Sequence, residues 1–496
     1  MTARAASTAA GPYRLLVGGA WVEGGAGSYP VVNPATEETV ARAPEASVSD
    51  AEQAAAAARE AFPAWSATAP EHRGRLLQAA ADELRKRGED LLGLVMAETG
   101  ATVAVGSQLQ VPQAVSRFEY YARRATRNLD IALPPSAMPA TPLAPGGLIG
   151  ALAARQPVGV VACISPYNFP LVNMAGKVAP ALATGNAVIM KPAPQDPLAV
   201  IELAGIMDDV GFPPGVVNVV TGAGPDVGAA LVGSRDVDMI SFTGSTAVGV
   251  RIYEAGARTM KRLLLELGGK GACLVFDDAD LDAAVTALVS VWAFHSGQIC
   301  TAPTRAILHR PVYDQLVERL AATAPKLKVG PPTDPATVIG PVISAAQRER
   351  VERYVELGRQ EGAEVVAGGT RPHGPGLEKG FYVAPSLLAG CTSSMTPVKE
   401  EIFGPVIAAL PFDTEEEAVQ IANGSDFGLY DYVFSRDTAR AYRVARQLRS
   451  GNVGINTAQR NHEAPFGGFK LSGVGRDGGE FGLHAYTELQ SIVWPG

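Results

Sequence analysis

Residues 158–192 decide the fold of this chain, and they read VGVVACISPYNFPLVNMAGKVAPALATGNAVIMKP. The apolar stretches VGVVACIS and NAVIMKP are typical of buried strands, and the segment between them, at about 171–184, is predicted to be a helix. The same alternation continues to residue 279, with a helix at about 197–210, strands VVNVV and DMISF, and a helix after Gly244. Strands that alternate with helices form βαβ units, so the sequence predicts an α/β fold with a parallel sheet covered on both faces.

A second α/β stretch occupies about 272–460, where the segments RAILH, AEVVAGG, VIAALPF and YVFS are predicted to be strands. Acidic residues near Asp280 favour the start of a helix there. Helical patterns also occur at 346–361 and 438–449. The second half of the chain therefore repeats the strand–helix alternation of the first.

The N-terminal part has a different pattern. Residues 13–40 alternate apolar and polar positions between Gly, Pro and Asn turns, which predicts short strands. Ser49 and Glu52 match a capping box at the start of a helix. Two further helices are predicted at about 71–97 and 108–128.

The composition is that of a globular protein without a nucleic-acid partner. Of the 496 residues, 47% are apolar and 19% are charged, which leaves ample apolar surface to bury. The 42 basic and 50 acidic residues give a net charge of −8. The chain therefore lacks the basic face that a phosphate backbone needs.

Cysteine usage and hydropathy bear on compartment. The four cysteines, at positions 163, 273, 300 and 391, form no C-x-x-C pair. We therefore predict no disulfide framework and no metal site, and reduced thiols predict a cytoplasmic protein. The N-terminal residues MTARAASTAAGPYRLL lack the apolar core of a signal peptide. No run reaches the roughly 18 apolar residues that span a membrane, so no membrane partner is expected.

Residues 129–154, LDIALPPSAMPATPLAPGGLIGALAA, combine Pro, Ala and Gly with almost no charge. Such a segment is either an exposed linker or an extended arm laid on a partner. Because an apolar arm in water would be a sticky patch, the sequence favours the arm, and with it an oligomer.

Cys300, in HSGQICTAPTR, follows a Gly-Gln turn at the end of a long apolar helix. Its side chain is therefore predicted to project into a cleft, where local amides and dipoles can favour the thiolate and make it a nucleophile. The alternative is an inert packing residue, which is our interpretation of Cys163, Cys273 and Cys391.

Two polar residues are candidates to act with that thiol. Glu266, in LLLELGGK, is expected to be partly desolvated, which raises a carboxyl pKa toward that of a general base. The alternative is an ion pair with Lys270 or a bond to a backbone amide. Asn168, in SPYNFP, lies between two prolines at a strand end, where a fixed amide could stabilise an oxyanion or only bond its own backbone.

Two further positions are candidates for phosphate or hydroxyl binding. Gly244 and Ser245, in SFTGSTAVG, stand between a strand and a helix N-terminus, where free amides and the helix dipole suit a phosphate. The spacing is not G-x-G-x-x-G, so an ordinary strand-to-helix turn remains an alternative. Lys191 ends the strand NAVIMKP, where it could reach hydroxyls or phosphate or simply be a solvated surface lysine.

Seven motifs, in this order along the chain, together resemble the aldehyde dehydrogenase superfamily. They are PYNFP, GNAVIMKPA, FTGS, LELGGK, GQIC, EEIFGPV and PFGGFKLSGVGRDGG. The resemblance implies a Rossmann-like cofactor domain, a second α/β catalytic domain and a small β oligomerisation flap in a homodimer or homotetramer. The implied boundaries are 1–128 and 155–265 for the cofactor domain, 266–465 for the catalytic domain, and 129–154 and 480–496 for the oligomerisation arm.

The resemblance also implies the reaction, a non-acylating, NAD(P)-dependent oxidation of an aldehyde to a carboxylic acid. Cys300 matches the nucleophile that forms a thiohemiacetal, and Asn168 with the Cys300 amide matches the oxyanion hole. Glu266 matches the base that activates water to hydrolyse the thioester, and Lys177 matches a lysine behind that base. The residues that match cofactor-contacting positions are Ser165, Pro166, Tyr167, Lys191, Gly244, Ser245, Glu401 and Phe403. Among these, Lys191 and Glu401 match residues that hold the two riboses.

The implied substrate tunnel leaves the aldehyde open. The residues expected to line it are Tyr167, Phe169, Asn173, Gly176, Ile299, Thr301, Arg460 and His462. Gly176 replaces a bulky aromatic residue of some relatives, which favours an aromatic or medium-chain aldehyde. Arg460 or His462 could instead bind the distal carboxylate of a semialdehyde.

The chain departs from the resemblance at Pro194, where members that favour NAD often carry a glutamate that holds the adenosine ribose hydroxyls. Without that carboxylate, a 2′-phosphate meets less repulsion. We therefore expect NAD as the cofactor, with NADP tolerated.

Other classes of function are less compatible with the sequence. A cysteine thioesterase or esterase would need a Cys-His-Asn arrangement, and only His295 lies near Cys300 in the chain. A phosphorylating or CoA-acylating relative would need another acceptor site, whereas Glu266 favours water. A non-catalytic protein of the same fold would have no use for Cys300, Glu266 and Asn168 together.

Overall fold

The structure is a computed structural model that describes residues 12–495. The residues in which a signal peptide would lie are mostly outside the described residues. Short strands come first: Leu15–Val17 (β1), Ala20–Val22 (β2), Gly27–Val32 (β3) and Thr39–Glu45 (β4). Helices follow: Val48–Ser66 (α1), Pro70–Lys86 (α2), Gly88–Thr99 (α3), Val103–Val105 (α4) and Val111–Arg124 (α5). A π-helical turn at Gly106–Gln110 joins α4 to α5.

The structure corrects two details of this part. The capping box of α1 is formed by Ser47 and Asp50, whose carboxylate accepts from the Ser47 backbone amide at 2.7 Å. The predicted box of Ser49 and Glu52 is therefore wrong, because the shorter Asp side chain closes the same box two residues earlier. The predicted helix at 71–97 is two helices, α2 and α3, which meet at Arg87.

The middle of the chain alternates strands and helices as the sequence predicts. The strands are Ile131–Met138 (β5), Gly147–Pro157 (β6), Val160–Ile164 (β7), Ala187–Lys191 (β8), Val217–Val219 (β9), Met239–Thr243 (β10) and Arg262–Glu266 (β11). The helices are Pro170–Ala183 (α6), Leu198–Asp209 (α7), Asp226–Gly233 (α8) and Thr246–Gly256 (α9). Helix α6 starts on a proline, which costs no hydrogen bond at the first helical position.

The last part holds the second set of elements. Its strands are Ala272–Val275 (β12), Arg305–His309 (β13), Glu364–Ala367 (β14), Ser386–Ala389 (β15), Val406–Phe412 (β16), Phe427–Gly428 (β17), Tyr430–Phe434 (β18), Asn452–Ile455 (β19), Phe469–Lys470 (β20), Gly473–Val474 (β21) and Thr487–Pro495 (β22). Its helices are Leu281–Ala293 (α10), Arg310–Thr323 (α11), Ala345–Gln360 (α12), Thr396–Lys399 (α13), Glu415–Asn423 (α14), Thr438–Gln447 (α15) and Gly479–Ala485 (α16). Asp280 caps α10 through bonds from the amides of Asp282 and Ala283.

Two parallel sheets form the body of the molecule. One has the order β2-β1-β9-β8-β7-β10-β11-β21, with β7 to β11 parallel and antiparallel strands at its edges. The other has the order β14-β15-β16-β13-β12-β18-β19 and is parallel except for β14. Alternate residues of β7 enter two different apolar cores, so helices cover both faces of the first sheet.

A small antiparallel sheet stands apart from these two. Its order is β22-β6-β5, and β22 pairs with β6 from Thr487–Pro157 to Pro495–Ile149. Its strands leave large apolar side chains in water, including Leu148 at 57% exposure and Val493 at 63%. The predicted fold class, two α/β units with a small β sheet, is confirmed. No helix within the described range 12–495 is long and apolar enough to cross a membrane.

Candidate active site

A cavity of about 1260 Å³ receives residues from both parallel sheets. It is lined by segments that follow β7 and β10, by the end of β11 and by the loop between α10 and β13. The predicted site residues that line it are Pro166, Tyr167, Asn168, Phe169, Asn173, Gly176, Gly244, Ser245, Glu266, Ile299, Cys300, Thr301, Glu401, Phe403, Arg460 and His462. Ser165, Lys177 and Lys191 are the predicted residues that lie outside this lining.

The loop that carries Cys300 leaves α10 through an unusual backbone path. Three successive residues, His295, Ser296 and Gly297, have positive φ angles of 50°, 55° and 74°. A Cβ at position 297 would overlap the backbone of Gly404, so only glycine lets the two chain segments touch there. The loop is therefore held against the segment that carries Phe403.

The nucleophile candidate differs from the other cysteines in its accessibility. Cys300 is partly exposed, whereas Cys163, Cys273 and Cys391 are buried. Burial raises the pKa of the Cys300 thiol to about 12, with nearby Arg460 acting in the opposite direction. This raised pKa favours the thiol over the thiolate, so attack on a carbonyl includes loss of the thiol proton.

Asn168 is fixed beside the Cys300 loop. Its side-chain Nδ2 donates to the carbonyl of Gln298 at 2.8 Å, and its Oδ1 accepts from the Phe169 amide at 3.1 Å. The side chain of Gln110 donates to the Asn168 carbonyl at 3.0 Å. Because an amide NH₂ has two hydrogens, one remains to donate toward the cavity.

Glu266 is the last residue of β11 and is only 4% exposed. Neither carboxylate oxygen has a hydrogen-bond partner within residues 12–495. Burial and the charge of Asp477 raise the pKa of Glu266 well above its usual value, while Lys177 and two arginines oppose the rise. The predicted ion pair with Lys270 is not formed. A carboxyl in this setting suits proton transfer near neutral pH.

Lys177 lies behind Glu266 on α6. Its Nζ donates to the Ser241 hydroxyl at 3.3 Å, and that hydroxyl lies 2.8 Å from the Tyr486 hydroxyl. Burial lowers the pKa of Lys177, while the nearby charges of Asp477 and Glu266 raise it. The Lys177 ammonium and the Glu266 carboxylate therefore interact electrostatically, without a hydrogen bond between them.

The strand-to-helix turn after β10 lines the cavity with residues 243–247. Ser245 caps α9 through a bond from the Val248 amide, and the Gly244 amide donates to the Glu266 carbonyl at 3.1 Å. A Cβ at 244 would overlap the Phe242 ring. The N-terminus of α9 therefore borders the cavity, and its dipole suits an anionic group there.

Glu401 and Phe403 also line the cavity, on the loop that touches Gly297. Glu401 Oε1 accepts from the Gly269 amide at 3.0 Å, and burial raises the Glu401 pKa. The Phe403 ring lies 5.9 Å from the Tyr167 ring in an edge-to-face arrangement. Together they form an aromatic and acidic wall.

Lys191 and Ser165 sit at adjacent strand ends of the first sheet. The Ser165 amide donates to the Lys191 carbonyl at 3.2 Å, and Lys191 Nζ donates to the Pro192 carbonyl at 3.2 Å. Burial lowers the pKa of Lys191 to about 8. The predicted alternative of a solvated surface lysine is therefore wrong.

The other side of the cavity is apolar and cationic. An ideal Cβ built on Gly176 meets only Asp477 Oδ2, at 3.8 Å, so this position leaves open space. The Arg460 guanidinium lies 3.7 Å from the centre of the Phe466 ring. Burial lowers the pKa of His462 below its ordinary value. Arg460 thus lines the cavity and is at the same time accessible to solvent.

A family model described as the aldehyde dehydrogenase family matches residues 21–492 of this chain. The chain belongs to the aldehyde dehydrogenase family. A curated member, the betaine aldehyde dehydrogenase of Bacillus subtilis (strain 168), is 38% identical over 483 residues, which cover 96% of each chain. The resemblance drawn from the seven motifs is confirmed.

Solved structures of the family are similar throughout. A crystal structure of betaine aldehyde dehydrogenase from Staphylococcus aureus in complex with NAD+ is 36% identical with a TM-score of 0.93, covering 97% of this chain and 94% of that one. Another structure of the same enzyme with NAD+ is 37% identical, has a TM-score of 0.92 and covers the same shares. These neighbours agree with the predicted cofactor class.

Sequence reasoning missed several residues that shape this aldehyde dehydrogenase site. Gln347 donates to the carbonyls of Ile402 and Phe403 at 3.0 and 2.8 Å and so holds their loop. Arg117 lines the cavity from α5, although no motif surrounds it. Asp477 also lines the cavity and lies inside the motif PFGGFKLSGVGRDGG, so a closer reading of that motif could have found it.

Proposed function

We propose that this chain oxidises an aldehyde to a carboxylic acid with NAD+, through a covalent intermediate on Cys300. The observation that carries the proposal is that Cys300, Asn168 and Glu266 line one cavity together with Glu401 and Phe403. The lining fits a dinucleotide, because the N-terminus of α9 borders the cavity and suits a pyrophosphate, and the aromatic wall suits a flat ring. When bound, the nicotinamide ring accepts a hydride from the substrate carbon.

In the first half-reaction, the Cys300 sulfur attacks the aldehyde carbon while the thiol proton passes through water in the open cavity to solvent. The carbonyl oxygen becomes an oxyanion, which the free N–H of Asn168 and the Cys300 amide stabilise. Loss of the hydride then leaves a thioester on Cys300. Asn168 is already oriented by its bond to the Gln298 carbonyl, so little reorganisation accompanies the charge that develops.

In the second half-reaction, Glu266 removes a proton from the water that attacks the thioester. The carboxylic acid leaves, and the Cys300 thiol regains a proton. Lys177 acts as a positioning residue, because its charge lowers the pKa of Glu266 and limits the effect of burial. Protons can pass along the Lys177, Ser241 and Tyr486 chain of polar groups.

A direct experiment separates this function from the cysteine esterase alternative. The purified protein is incubated with NAD+ and an aldehyde panel, and reduced nicotinamide is followed by absorbance. A time course of reduced cofactor that requires Cys300 supports the proposal. Hydrolysis of nitrophenyl esters with no reduction of NAD+ by any aldehyde would instead favour the esterase.

Cofactor choice is proposed to be NAD+, with NADP+ tolerated, because Pro194 supplies no carboxylate near Lys191. Lys191 is buried at the strand end with its ammonium bonded to Pro192. Substituting Pro194→Glu should lower kcat/KM for NADP+ and leave kcat/KM for NAD+ the same or higher, since a carboxylate repels a 2′-phosphate. Equal effects on both cofactors would contradict the proposal.

For the substrate body, we propose an aromatic or medium-chain aldehyde. Gly176 leaves open space, and the Phe169 and Phe294 rings lie 6.0 Å apart along the lining. Gly176→Phe should lower kcat/KM for benzaldehyde and hexanal by about tenfold, as overpacking typically costs 1–3 kcal/mol. Acetaldehyde serves as the control, because it does not reach the substituted position. An equal loss for all three aldehydes would contradict the proposal.

We also propose a cytoplasmic homodimer or homotetramer whose arm is the β5, β6 and β22 sheet. The proposed division is a cofactor domain at 1–128 and 155–265, a catalytic domain at 266–465, and the arm at 129–154 and 480–496. The exposed apolar side chains of that sheet support this proposal, because such a surface is costly in water. Light scattering coupled to size exclusion should give a dimer or tetramer mass, and a monomer would contradict it.

A further inference from the structure

Two arginines from distant parts of the sequence face the same side of the cavity. Arg117 is on α5, and Arg460 is in the loop that follows β19. The Arg460 guanidinium is stacked on the Phe466 ring at 3.7 Å, which fixes its plane. Arg117 Nε is buried and has no hydrogen-bond partner among residues 12–495.

Neither arginine has a carboxylate as an ion-pair partner within the described chain. Arg124, about two turns further along the same helix α5, differs in this respect. Arg124 binds both carboxylate oxygens of Glu463 at 3.1 Å. Glu463 is thereby engaged and does not compensate the charges of Arg117 and Arg460.

The nearest acidic residue of the lining does not form an ion pair with either arginine. Asp477 lines the cavity and accepts a hydrogen bond from the Gly478 amide at 2.6 Å. Two guanidiniums without an ion-pair partner among the described residues therefore line a place that a substrate must fill.

We propose that Arg117 and Arg460 form a subsite for a carboxylate at the far end of the substrate, so that the aldehyde is a semialdehyde with an apolar body. A guanidinium presents paired N–H donors that match a carboxylate and keeps its charge at any physiological pH. Of the two residues that the sequence offered for this role, Arg460 carries it, because its planar guanidinium is held on the Phe466 ring. The inference rests on the proposed aldehyde oxidation and names its substrate class.

The same geometry disfavours a cationic substrate of the kind named in the relatives, betaine aldehyde. A quaternary ammonium group is bound by the open faces of aromatic rings. The face of Phe466 is already covered by the guanidinium of Arg460. A second cation at this place would be repelled by two guanidiniums that form no ion pair within the described residues.

The test compares aldehydes of matched shape in the full-length protein with NAD+. The substrates are 4-carboxybenzaldehyde, 4-methylbenzaldehyde and betaine aldehyde, and kcat and KM are measured separately for each. Wild type should prefer the carboxylated substrate to the methyl one by roughly tenfold or more in kcat/KM. Equal values, or a preference for betaine aldehyde, would overturn the proposal.

Substitution identifies the responsible groups. Arg460→Gln and Arg117→Gln should each lower the carboxyl-to-methyl preference by about 10- to 100-fold, mainly through KM, because one charge-assisted bond is lost. Arg460→Lys should restore part of it. Arg449→Gln is the matched control, because Arg449 also lies over a ring, that of Phe469 at 5.5 Å, and does not line the cavity. An unchanged preference in both cavity variants would overturn the proposal.

A second measurement keeps the subsite testable if no aldehyde is oxidised. The rate at which Cys300 is alkylated by iodoacetate is divided by the rate with iodoacetamide, which differs mainly in charge. Arg460→Gln should lower this ratio several-fold if the arginines attract anions. If the enzyme oxidises aldehydes but Arg460→Gln leaves this rate ratio unchanged, the subsite alone is refuted. If Arg460→Gln lowers the ratio but the protein oxidises no aldehyde, the oxidation alone is refuted.

Discussion

The charged side chains on one side of the cavity have partners within the protein, and the arginines on the other side form no ion pair in the described part of the chain. On the side of Phe403, the buried Glu401 carboxylate accepts a backbone hydrogen bond; burial raises its pKa, and the charges of Lys270 and Arg350 partly oppose that rise. On the other side, Arg117 and Arg460 line the cavity without an ion-pair partner among the described residues. The first side is compensated within the protein and is built from motif residues. The second keeps surplus charge, and no motif surrounds either arginine.

This difference suggests a division of labour within one cavity. A wall whose charged groups interact with one another suits a cofactor that every member of the family shares. A wall with unpaired charges can pair them with a ligand, and it suits the part of the substrate that differs between members. The predictions below test the two sides and the place where they meet.

The largest effect is expected at Cys300, where the two sides meet. Cys300→Ala removes the nucleophile, so aldehyde oxidation should fall by about 10⁴-fold or more. Reduced nicotinamide absorbance measures the loss. Cys391→Ala is the control, because that buried thiol lies just after β15 and is not among the residues that line the cavity. Substantial oxidation by Cys300→Ala would refute the covalent mechanism.

The next effect concerns Glu266. Glu266→Gln should slow thioester hydrolysis by about 10²-fold or more, as expected for a lost general base. Hydride transfer is less affected, so rapid mixing should reveal a burst of reduced cofactor followed by slow turnover. In wild type the base form accumulates as pH rises through the raised pKa of Glu266, so hydrolysis should accelerate with pH. The Glu266→Gln variant should lose this dependence of hydrolysis on pH. If the variant retains it, another group is the base.

Asn168→Ala is expected to have a somewhat smaller effect. Loss of one oxyanion donor typically lowers turnover by ~10²–10³-fold. NAD+ binding, measured by calorimetry, should stay intact because the Asn168 side chain bonds the Gln298 carbonyl and the Phe169 amide rather than the Phe403 wall. Near-normal turnover in the variant would contradict the oxyanion role.

The smallest effect concerns stability on the Glu401 side. The Lys270 ammonium is buried without a hydrogen-bond partner in residues 12–495, and burial lowers its pKa to about 7. Because its unfolded pKa is near 10.4, the unfolded chain binds more protons between these values, and this group makes the free energy of unfolding rise with pH there. Lys270→Met should therefore raise Tm by a few degrees at pH 6.5 and by less at pH 9.

Lys261→Met provides the matched control for that measurement. The Lys261 ammonium is also largely buried, yet it donates to the carbonyls of Ser234 and Val237. Its replacement should lower Tm, because two buried acceptors lose their donor. If both variants shift Tm in the same direction at pH 6.5, the distinction between a bonded and an unbonded buried lysine is wrong.

The fold followed from sequence because its signals are local. Strand and helix patterns near 158–192 depend on neighbouring residues, and the observed α6 and β8 match them closely. The capping box was misplaced because Asp50 was overlooked as a partner of Ser47. Arg117 escaped detection for a different reason, since nothing local distinguishes a cavity arginine from a surface one on an amphipathic helix. Only the packing of α5 against α6 brings it to the cavity.

The C-terminal strand is connected to the candidate active site through Tyr486. Tyr486, immediately before β22, shares a hydrogen bond with Ser241, to which Lys177 donates. The final strand is therefore mechanically tied to the proton-handling groups beneath Glu266. A fusion protein or immobilisation tether attached at the carboxyl terminus would strain the hydrogen bonds that join Tyr486, Ser241 and Lys177. The strain would lower turnover rather than weaken cofactor binding.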